Sequence, residues 1–483
     1  MVNNLGGVRV IARGDAKAVL AKAYEAEEPE LVAVVGRRRV GKTFLVREVY
    51  KQQLVFQVTG LANIGLPFQL ENFKKQLLQS FLGLEVNHDF TSWLDAFFEL
   101  ARLLKVALEI NPEKRVVFLD ELPWLASARS GFLAGFAWFW NSWAYDKRIV
   151  VVICGSAASW MINKVVRDKG SLHNRITRYI TLQPFTLAEA SKYLDSRGIV
   201  ADRYQRIQLY MALGGIPFYL KQLEPGLSAS QEIDRLLFGK GGPLRGEFNL
   251  LFASLFAKPE RHLKVIKALG LKPNGTDRTQ LAKATKLESG GALTRVLEEL
   301  ELSGFIEHSR PFGSKKKSRI IRLLDEFSAF YLKWIENDEY PSFLRLQSTQ
   351  NYRSWAGLAF ERIALKHTTA IQTALGIAGL DAHSYSYFAK ANERTDGVQV
   401  DLLIDRADRM ITLVEVKYTT AKFTLTKEYA ETLREKIGRF RNHTQTRKHV
   451  QLVLLTTYGA TASPYAVGLV DKVLTMDDLW AEH

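Results

Sequence analysis

The chain has 483 residues, and at roughly 150 residues per domain this length predicts about three domains. With 47% hydrophobic and 24% charged residues, the composition is that of a globular protein and excludes a disordered chain. The net charge of +15 favours a polyanionic partner such as nucleic acid or nucleotide, whereas the single cysteine, Cys154, excludes an intramolecular disulfide and a cysteine-cluster zinc site.

The amino terminus and the longest apolar run bear on where the protein works. The first residues lack the apolar core of a signal peptide, and one cysteine fits a reducing compartment, so we expect a cytoplasmic protein. The run 131–145 is interrupted by Asn141 and Ser142 and is shorter than the roughly 20 residues of a membrane helix. We therefore predict a buried helix there and no membrane partner.

The first predicted domain, residues 1–185, alternates helical patterns with buried strands. Continuous apolar runs at 31–35, 115–119 and 149–153 are typical of strands covered on both faces. Strands alternating with helices predict an α/β fold with a parallel sheet.

A glycine-rich turn follows the first strand and matches the pattern G-x-x-x-x-G-K-[ST], the P-loop of nucleotide-binding proteins. In such a loop backbone N–H groups face phosphate oxygens, the lysine reaches the β- and γ-phosphates, and the hydroxyl is a ligand of Mg²⁺. The pattern, with Phe44 directly after it, predicts ATP and Mg²⁺ as cofactors; the alternative is a chance match in a basic surface loop. Its residues are Gly36, Arg37, Arg38, Arg39, Val40, Gly41, Lys42 and Thr43.

Polar residues end the next two predicted strands. Asp120 and Glu121 follow the second strand at the carboxyl edge, where ligands of open α/β sheets lie. We predict that Asp120 binds Mg²⁺ and that Glu121 orients the attacking water, the alternative being ordinary solvated carboxylates. Ser156 ends the third strand and is either a γ-phosphate contact or a helix cap.

The following segments predict three further domains. Residues 186–245 are helical with a glycine-rich end, which predicts a lid and a hinge. Residues 246–334 contain three helices and then a hairpin, the order of a winged helix-turn-helix, and residues 255–325 carry a net charge of +7. Residues 335–483 are electrically neutral and strand-rich.

The motifs GRRRVGKT, FLDELPWL, ICGSAASWM, LHNRITRYITLQPF and GGIPFYL together resemble the archaeal-type ATPase family, which is AAA+-related and grouped with the signal-transduction ATPases with numerous domains. The resemblance implies an ATPase core with a helical lid and a winged helix that acts as a nucleotide-dependent switch. It implies that Arg175 contacts the γ-phosphate in cis or across the interface of a homo-oligomer, and that Pro217 lies near the nucleotide. The alternative for Arg175, and for Arg178, is a solvated arginine at the end of a helix. Arg13 fits the family, but the acidic residue after it, Asp15, is displaced.

A second group of charged residues lies in the last predicted domain. Asp401 lies on one predicted strand, and Glu415 and Lys417 share one face of the next. Carboxylate oxygens suit Mg²⁺, and Lys417 would position or deprotonate a water. The alternative is a pair of edge strands that carry charge for solubility.

This pattern, preceded by Glu361 on a helix, resembles the PD-(D/E)XK nuclease superfamily. The resemblance implies a restriction-endonuclease-like α/β domain in which Glu361, Asp401 and Glu415 bind metal and Lys417 is catalytic. Val400 stands where the superfamily usually has proline.

Two basic segments are candidate nucleic-acid contacts, or else solvated surfaces. One is the hairpin tip, 315–317 with Arg319, for which we favour DNA. The other is a basic helix. The function expected is an ATP-driven switch coupled to DNA binding and nuclease action, the alternative being a nucleotide-controlled DNA-binding regulator with an inactive nuclease-like domain. The basic residues of that helix region are Lys422, Lys427, Arg434, Lys436, Arg439 and Arg441.

Overall fold

The computed structural model describes residues 11–481 except 87–88, 128, 157, 163–164, 166–171, 173, 257, 289, 314–318, 390 and 392–395. The chain forms two compact units. The first comprises Met1–Pro184, Ser254–Ala257 and Glu298–Gly304, and the second comprises Phe185–Ala253, Lys258–Leu297 and Phe305–His483. Within the described ranges, no helix has both the length and the apolar character needed to cross a bilayer. The predicted four-domain division stays a prediction.

The first unit contains a five-stranded sheet in which every neighbouring pair is parallel, with strand order β2-β3-β4-β1-β5. The three predicted strands are confirmed as β1, β3 and β4, and all the residues of β1 and β4 are buried. The strands β2 and β5 were not predicted, because β2 is only partly buried and β5 is short and carries polar residues. The strands are β1 (Glu30–Val35), β2 (Leu54–Thr59), β3 (Arg115–Asp120), β4 (Ile149–Gly155) and β5 (Arg178–Thr181).

Helices connect these strands and bury an aromatic cluster. A capping box formed by Ser92 and Asp95 begins α4, and its Trp93 and Phe97 pack on Phe132. The predicted buried helix at 131–145 is confirmed as helical, with α6 continuing into a π-helical and a 3₁₀ turn. The helices are α1 (Gly14–Glu25), α2 (Lys42–Val49), α3 (Leu66–Ser80), α4 (Trp93–Ile110), α5 (Leu122–Leu125), α6 (Phe132–Trp138) and α7 (Ala158–Met161).

The second unit begins with helices in the region predicted as a lid. Side-chain caps begin several of them; for example, the Thr186 hydroxyl accepts the Glu189 N–H at the start of α8. The imidazole of His367 accepts a hydrogen bond from the Leu187 N–H at 3.0 Å, which ties the start of α8 to a helix 180 residues later. The helices are α8 (Leu187–Ser196), α9 (Arg203–Leu213), α10 (Pro217–Leu220), α11 (Ala229–Ile233) and α12 (Glu247–Leu255).

Three helices and a small antiparallel sheet of order β6-β8-β7 follow. All three predicted helices and both predicted strands of this segment are present, whereas the two-residue strand β6 was not predicted. The elements are α13 (Pro259–Gly270), β6 (Thr276–Asp277), α14 (Arg278–Thr285), α15 (Gly291–Leu302), β7 (Ile306–Ser309), β8 (Ile320–Leu323), α16 (Glu326–Trp334) and α17 (Phe343–Leu346).

The carboxyl-terminal segment contains a five-stranded mixed sheet of order β13-β12-β11-β10-β9. The strands β9, β10 and β11 are antiparallel neighbours, and the crossover helix α20 leads from β11 to its parallel neighbour β12. Apolar residues of α20, including Leu433 and Phe440, pack with the apolar side chains of the sheet. The elements are α18 (Gln350–Lys366), α19 (Thr368–Leu375), β9 (Ala382–Ala389), β10 (Val398–Arg406), β11 (Met410–Lys417), α20 (Lys427–Thr444), β12 (His449–Thr456) and β13 (Lys472–Thr475).

Candidate nucleotide site and carboxylate cluster

The glycine-rich loop joins the end of β1 to the start of α2, as the motif predicts. A Cβ atom at Gly36 would overlap the carbonyl oxygen of Leu182, so only glycine fits there. Gly41 directly precedes α2 with a φ of 90°, a conformation that side chains other than glycine rarely adopt. The loop therefore presents the free N–H groups at the amino terminus of α2, which attract anions.

Lys42 is buried at the base of this loop, with 5% of its surface exposed. Its ammonium group donates to the carbonyl oxygens of Gly36 at 2.9 Å and Arg37 at 3.0 Å. The guanidinium of Arg13 donates to the Val40 carbonyl at 3.2 Å. These contacts hold the loop curled, with the lysine charge at its centre.

The other predicted loop residues lie around this centre. Arg37 is buried, and Arg39 adopts a positive φ of 74°. The guanidinium of Arg38 lies 5.9 Å from the centre of the Trp124 ring. Phe44, in the first turn of α2, is 54% exposed, so its ring is open to a ligand.

Polar side chains at or after the ends of the neighbouring strands β3, β4 and β1 converge at the carboxyl edge of the sheet. The Thr43 hydroxyl donates to Asp120 Oδ2 at 2.8 Å. Glu121, in a left-handed conformation at the start of α5, accepts the Ser156 hydroxyl at 2.8 Å and the Ser156 N–H at 3.2 Å. The close hydroxyl and carboxylate of Thr43 and Asp120 are the hard oxygen ligands that Mg²⁺ prefers.

Two further predicted nucleotide contacts come from chain segments other than the loop and the ends of β3 and β4. Arg175 is exposed in the turn before β5, and His173 of its motif lies outside the described residues. Pro217 begins α10 in the second unit, so its contact with nucleotide stays a prediction. The nearby Arg178 instead pairs with the buried carboxylate of Glu30 at 2.6 Å.

The carboxylate cluster of the second unit assembles from one helix and two strands. Asp401 on β10 and Glu415 on β11 adjoin the paired residues Leu402 and Val414, and both carboxylates are at least nine-tenths buried. The Lys417 ammonium lies 2.9 Å from Glu415 Oε1, as expected for side chains on one face. Glu361 on α18 is close enough for its charge to interact with that of Asp401.

Two residues of α20 complete this cluster and were not predicted as part of it. Lys436 donates to Glu415 Oε2 at 2.6 Å, and the Tyr429 hydroxyl donates to Glu415 Oε1. The sequence places Lys436 among residues that either contact nucleic acid or form a solvated helix surface, whereas the structure pairs it with Glu415. The signal that could have placed it was the helical spacing of Tyr429 and Lys436, seven residues apart on one face of α20.

Burial and charge push the pKa values of the three acids apart. Burial, helped by the neighbouring Asp401, raises the pKa of Glu361 to about 8. Burial and the Glu415 charge raise the pKa of Asp401 to about 6. Burial opposes ionisation of Glu415 as well, but Lys436 and Lys417 outweigh it and lower its pKa to about 2. Glu415 is therefore the most readily ionised of the three acids, and Glu361 is the least.

Most carboxylate oxygens of Asp401 and Glu415 already accept hydrogen bonds within the protein, so they are not free to bind a metal ion. Both oxygens of Glu415 are taken, and Asp401 Oδ2 accepts the Val416 N–H at 3.0 Å. Among the residues that the structure describes, no group of three or more histidine, cysteine, aspartate or glutamate side chains could hold a metal ion. The predicted ligands Glu361, Asp401 and Glu415 thus lie in one region of the fold, but not in a metal-binding arrangement.

The predicted nucleic-acid contacts are only partly described. The hairpin tip residues 315–317 lie outside the described residues, and Arg319 beside them is exposed. On α20, Lys427, Arg434 and Arg441 are exposed, whereas Arg439 pairs with Glu435 and with Asp396.

Comparisons with known sequences found a family model and a relative, and the family model covers the part of the chain that contains the phosphate loop. Residues 13–223 match the family model of an ATPase domain found predominantly in Archaea. An uncharacterized protein of Methanocaldococcus jannaschii is 21% identical over 405 residues, covering 81% of this chain and 84% of that protein. The residues matched by that family model include the phosphate loop and all five strands of the parallel sheet, which agrees with a P-loop ATPase fold in this part of the chain.

Two solved structures are also similar to the chain. The Walker-type ATPase of Pyrococcus abyssi is 17% identical with a TM-score of 0.49, and the match covers 67% of this chain and 96% of that one. The ORC2 protein of Aeropyrum pernix, solved in ADPNP–ADP complexes, is 14% identical with a TM-score of 0.46, and the match covers 72% and 98%.

Proposed function

We propose that the protein binds and hydrolyses ATP and uses this cycle to control an action of its carboxyl-terminal part on nucleic acid. The observation that carries the proposal is the loop around Lys42 beside the Thr43–Asp120 pair. Lys42 would bind the β- and γ-phosphates, and Thr43 and Asp120 would hold Mg²⁺, which supplies positive charge against the phosphates. Glu121 would orient the attacking water, and Ser156 holds its carboxylate in place.

Replacing Lys42 tests the ATP site directly. We expect Lys42→Ala to weaken ATP binding at least 100-fold by calorimetry, because a buried charge that pairs with phosphate is lost. The matched control is Lys51→Ala, an exposed lysine of the same unit, which should bind ATP like the parent protein. Equal affinities in the two variants would remove the assignment.

Arg175 would contact the γ-phosphate of its own or a neighbouring subunit. Its exposure supports either geometry. If it acts between subunits, mixing Arg175→Ala with Lys42→Ala protein should restore part of the ATP hydrolysis. One of the two mixed pairings joins the intact loop of the Arg175→Ala subunit to the intact arginine of the Lys42→Ala subunit. Turnover that stays at the level of the separate variants would exclude action between subunits.

A DNA-binding winged helix is the second part of the proposal. Its support is the succession α13, α14, α15 and a hairpin, with a third strand added to the hairpin by β6. The net charge of +7 over residues 255–325 and the exposed side chains of Lys283, Arg295 and Arg319 suit a phosphate backbone.

The carboxyl-terminal segment is proposed as a nuclease-like domain. The support is its order of helix, three antiparallel strands, crossover helix and parallel strand, with Asp401, Glu415 and Lys417 on adjoining strands. Because the acids are not arranged as a metal site, we derive no cleavage step through a metal ion. Cleavage would require Lys436 to leave Glu415.

A second candidate is a nucleotide-controlled regulator that binds DNA without cutting it. The observation that favours it is that Lys417, Lys436 and Tyr429 already satisfy both oxygens of Glu415. In this case the carboxylate cluster stabilises the fold, and the ATP cycle exposes or hides the DNA-binding surface.

One pair of assays separates the two candidates. Nuclease activity with Mg²⁺ or Mn²⁺, with and without ATP, should disappear in Asp401→Ala and Lys417→Ala if the domain cuts; cleavage that persists in both variants points to another source. No cleavage of single- or double-stranded DNA or RNA, with gel shifts that differ between ATP and ADP and weaken with salt, identifies the regulator. Identical or absent shifts in every nucleotide state would exclude the regulator.

A further inference from the structure

A cavity of about 50 Å³ adjoins the carboxylate cluster within the second unit. It is several times larger than the roughly 10–15 Å³ that one water molecule needs. Glu361 and Asp401 line it, so the cavity and the cluster share a wall. Its other polar lining residues are Asn274, Glu307, Arg322, Arg362, Lys366, Ser386 and Gln399.

Two donors that line this cavity have no partner among the described residues. The Nε and Nη2 atoms of Arg362 are buried and make no hydrogen bond, and the buried hydroxyl of Ser386 makes none either. The face of the Trp355 ring lies 5.8 Å from the Arg362 guanidinium carbon and supports it without accepting its N–H groups. Buried donors in folded proteins are almost always satisfied, so these point to a missing acceptor.

The other cations at the cavity wall are engaged, which distinguishes Arg362 from them. Lys366 donates to both carboxylate oxygens of Glu326 at 2.9 Å, and Arg322 donates to the Asn274 carbonyl at 3.2 Å. Arg362 differs from them because two of its buried guanidinium nitrogens make no hydrogen bond among the described residues, although the charges of Glu326 and Glu361 act on it. Its planar fork matches two oxygens of one phosphate group. A hydroxyl beside it supplies one more donor to a third oxygen.

We propose that this cavity, which we call the Arg362 pocket, binds a phosphate group of nucleic acid beside the carboxylate cluster. The inference deepens the proposed function, because it rests on the action of the carboxyl-terminal domain on nucleic acid. Because Glu361 and Asp401 line the same cavity, a phosphate held there brings the strand next to the carboxylate cluster. The pocket therefore sets the position of the strand whether or not the domain cuts it.

The test uses the full chain with Lys42→Ala, so that the phosphate loop of the ATPase domain does not contribute. The probes are a fluorescent single-stranded 12-mer of DNA, in EDTA to prevent cleavage, and inorganic phosphate. In this background Arg362→Gln should weaken binding of the 12-mer at least tenfold and abolish the rise in unfolding temperature caused by phosphate. The matched control is Arg353→Gln, an exposed arginine on the same helix, which should change affinity less than twofold.

A measurement without ligand separates a binding role from a structural one. Because two N–H groups of Arg362 lack partners, Arg362→Gln should unfold at a temperature no lower than the parent protein. Ser386→Ala provides a second variant with a small change in volume, and it should weaken binding of the 12-mer by about threefold to tenfold. A structural arginine would instead give a lower unfolding temperature with unchanged affinity per folded molecule, which would overturn the inference.

The remaining outcomes show whether the proposed Arg362 pocket, the proposed binding of nucleic acid, or both are wrong. If the 12-mer binds Arg362→Gln as tightly as Arg353→Gln, nucleic-acid binding stands and the pocket is overturned. If phosphate stabilises the protein only when Arg362 is present and no oligonucleotide binds, the pocket holds a free phosphate ion and the nucleic-acid proposal fails. If neither probe binds, both are overturned.

Discussion

The lysines of the phosphate loop and of the carboxylate cluster are both buried or partly buried, but they are satisfied in opposite ways. Lys42 binds only neutral carbonyl oxygens of its own loop, so its charge remains for an incoming anion. Lys417 and Lys436 both pair with the ionised carboxylate of Glu415, so each of these charges has a partner within the protein. The first site is organised for a ligand, whereas the second is stable without one.

Among the variants that test this comparison, we expect the largest change from Glu121→Gln, as a loss of ATP turnover. Because Glu121 would orient the attacking water, Glu121→Gln should lower ATP turnover about 100-fold or more while ATP affinity stays unchanged. The amide oxygen still accepts the Ser156 hydrogen bonds, so the loop geometry is kept. Steady-state hydrolysis and calorimetric ATP binding are the measurements.

The control for Glu121 is Glu27→Gln, an exposed glutamate of the same unit. It should hydrolyse ATP at the parental rate. A Glu121→Gln variant that turns over ATP as fast as this control would mean that another residue positions the water.

The next largest change is expected in the free energy of unfolding, which should distinguish a lysine paired with a carboxylate from a lysine bound to carbonyl oxygens. Lys436→Met removes one of the two cations at Glu415 and should lower the free energy of unfolding by about 2 kcal/mol, because a buried carboxylate loses a close partner. Lys42→Ala should change stability by less than about 1 kcal/mol, since neutral carbonyls lose far less. Chemical denaturation of both variants measures the difference.

Lys427→Met, an exposed lysine at the start of α20, controls for the loss of charge on that helix. It should be as stable as the parent. If Lys436→Met matched it, Glu415 would not depend on Lys436, and the contrast between the two sites would fail.

A third effect, which develops gradually with pH, concerns the end of the helix that carries Glu361. Burial lowers the pKa of His367, next to the end of α18, to about 4. The unfolded chain binds this proton near pH 6.5, so stability should fall as the pH drops from about 6.5 to 4, by at most about 3 kcal/mol. His367→Gln should flatten this part of the pH profile of unfolding, and His383→Gln, which is exposed, should not. Parallel profiles in all three proteins would exclude His367 as the source.

The sequence predicts the ATP site better than the carboxylate cluster for a physical reason. The loop of residues 36–43 is contiguous, and its glycines meet steric demands that leave a pattern in the sequence. Asp120 and Ser156 end buried strands, which apolar runs reveal. A short spacing pattern also brought Asp401, Glu415 and Lys417 together.

What the sequence did not predict depends on contacts between distant residues. Lys436 reaches Glu415 across 21 residues of chain. Its seven-residue spacing from Tyr429 puts the two on one face of α20, but only the folded structure shows that Glu415 lies opposite that face. Arg362 follows Glu361 directly, yet its lack of partners becomes visible only when the cavity is known. The strands β2 and β5 were missed because neither has a continuous apolar run.

The crossover helix α20 also determines where this chain can be divided into fragments. A fragment that ends at residue 418 would keep Glu361, Asp401, Glu415 and Lys417, and a motif search would score it as complete. It would lack Lys436 and Tyr429, so Glu415 would face Lys417 alone. An expression fragment of this domain must therefore extend through β12, the parallel neighbour that α20 delivers to the sheet.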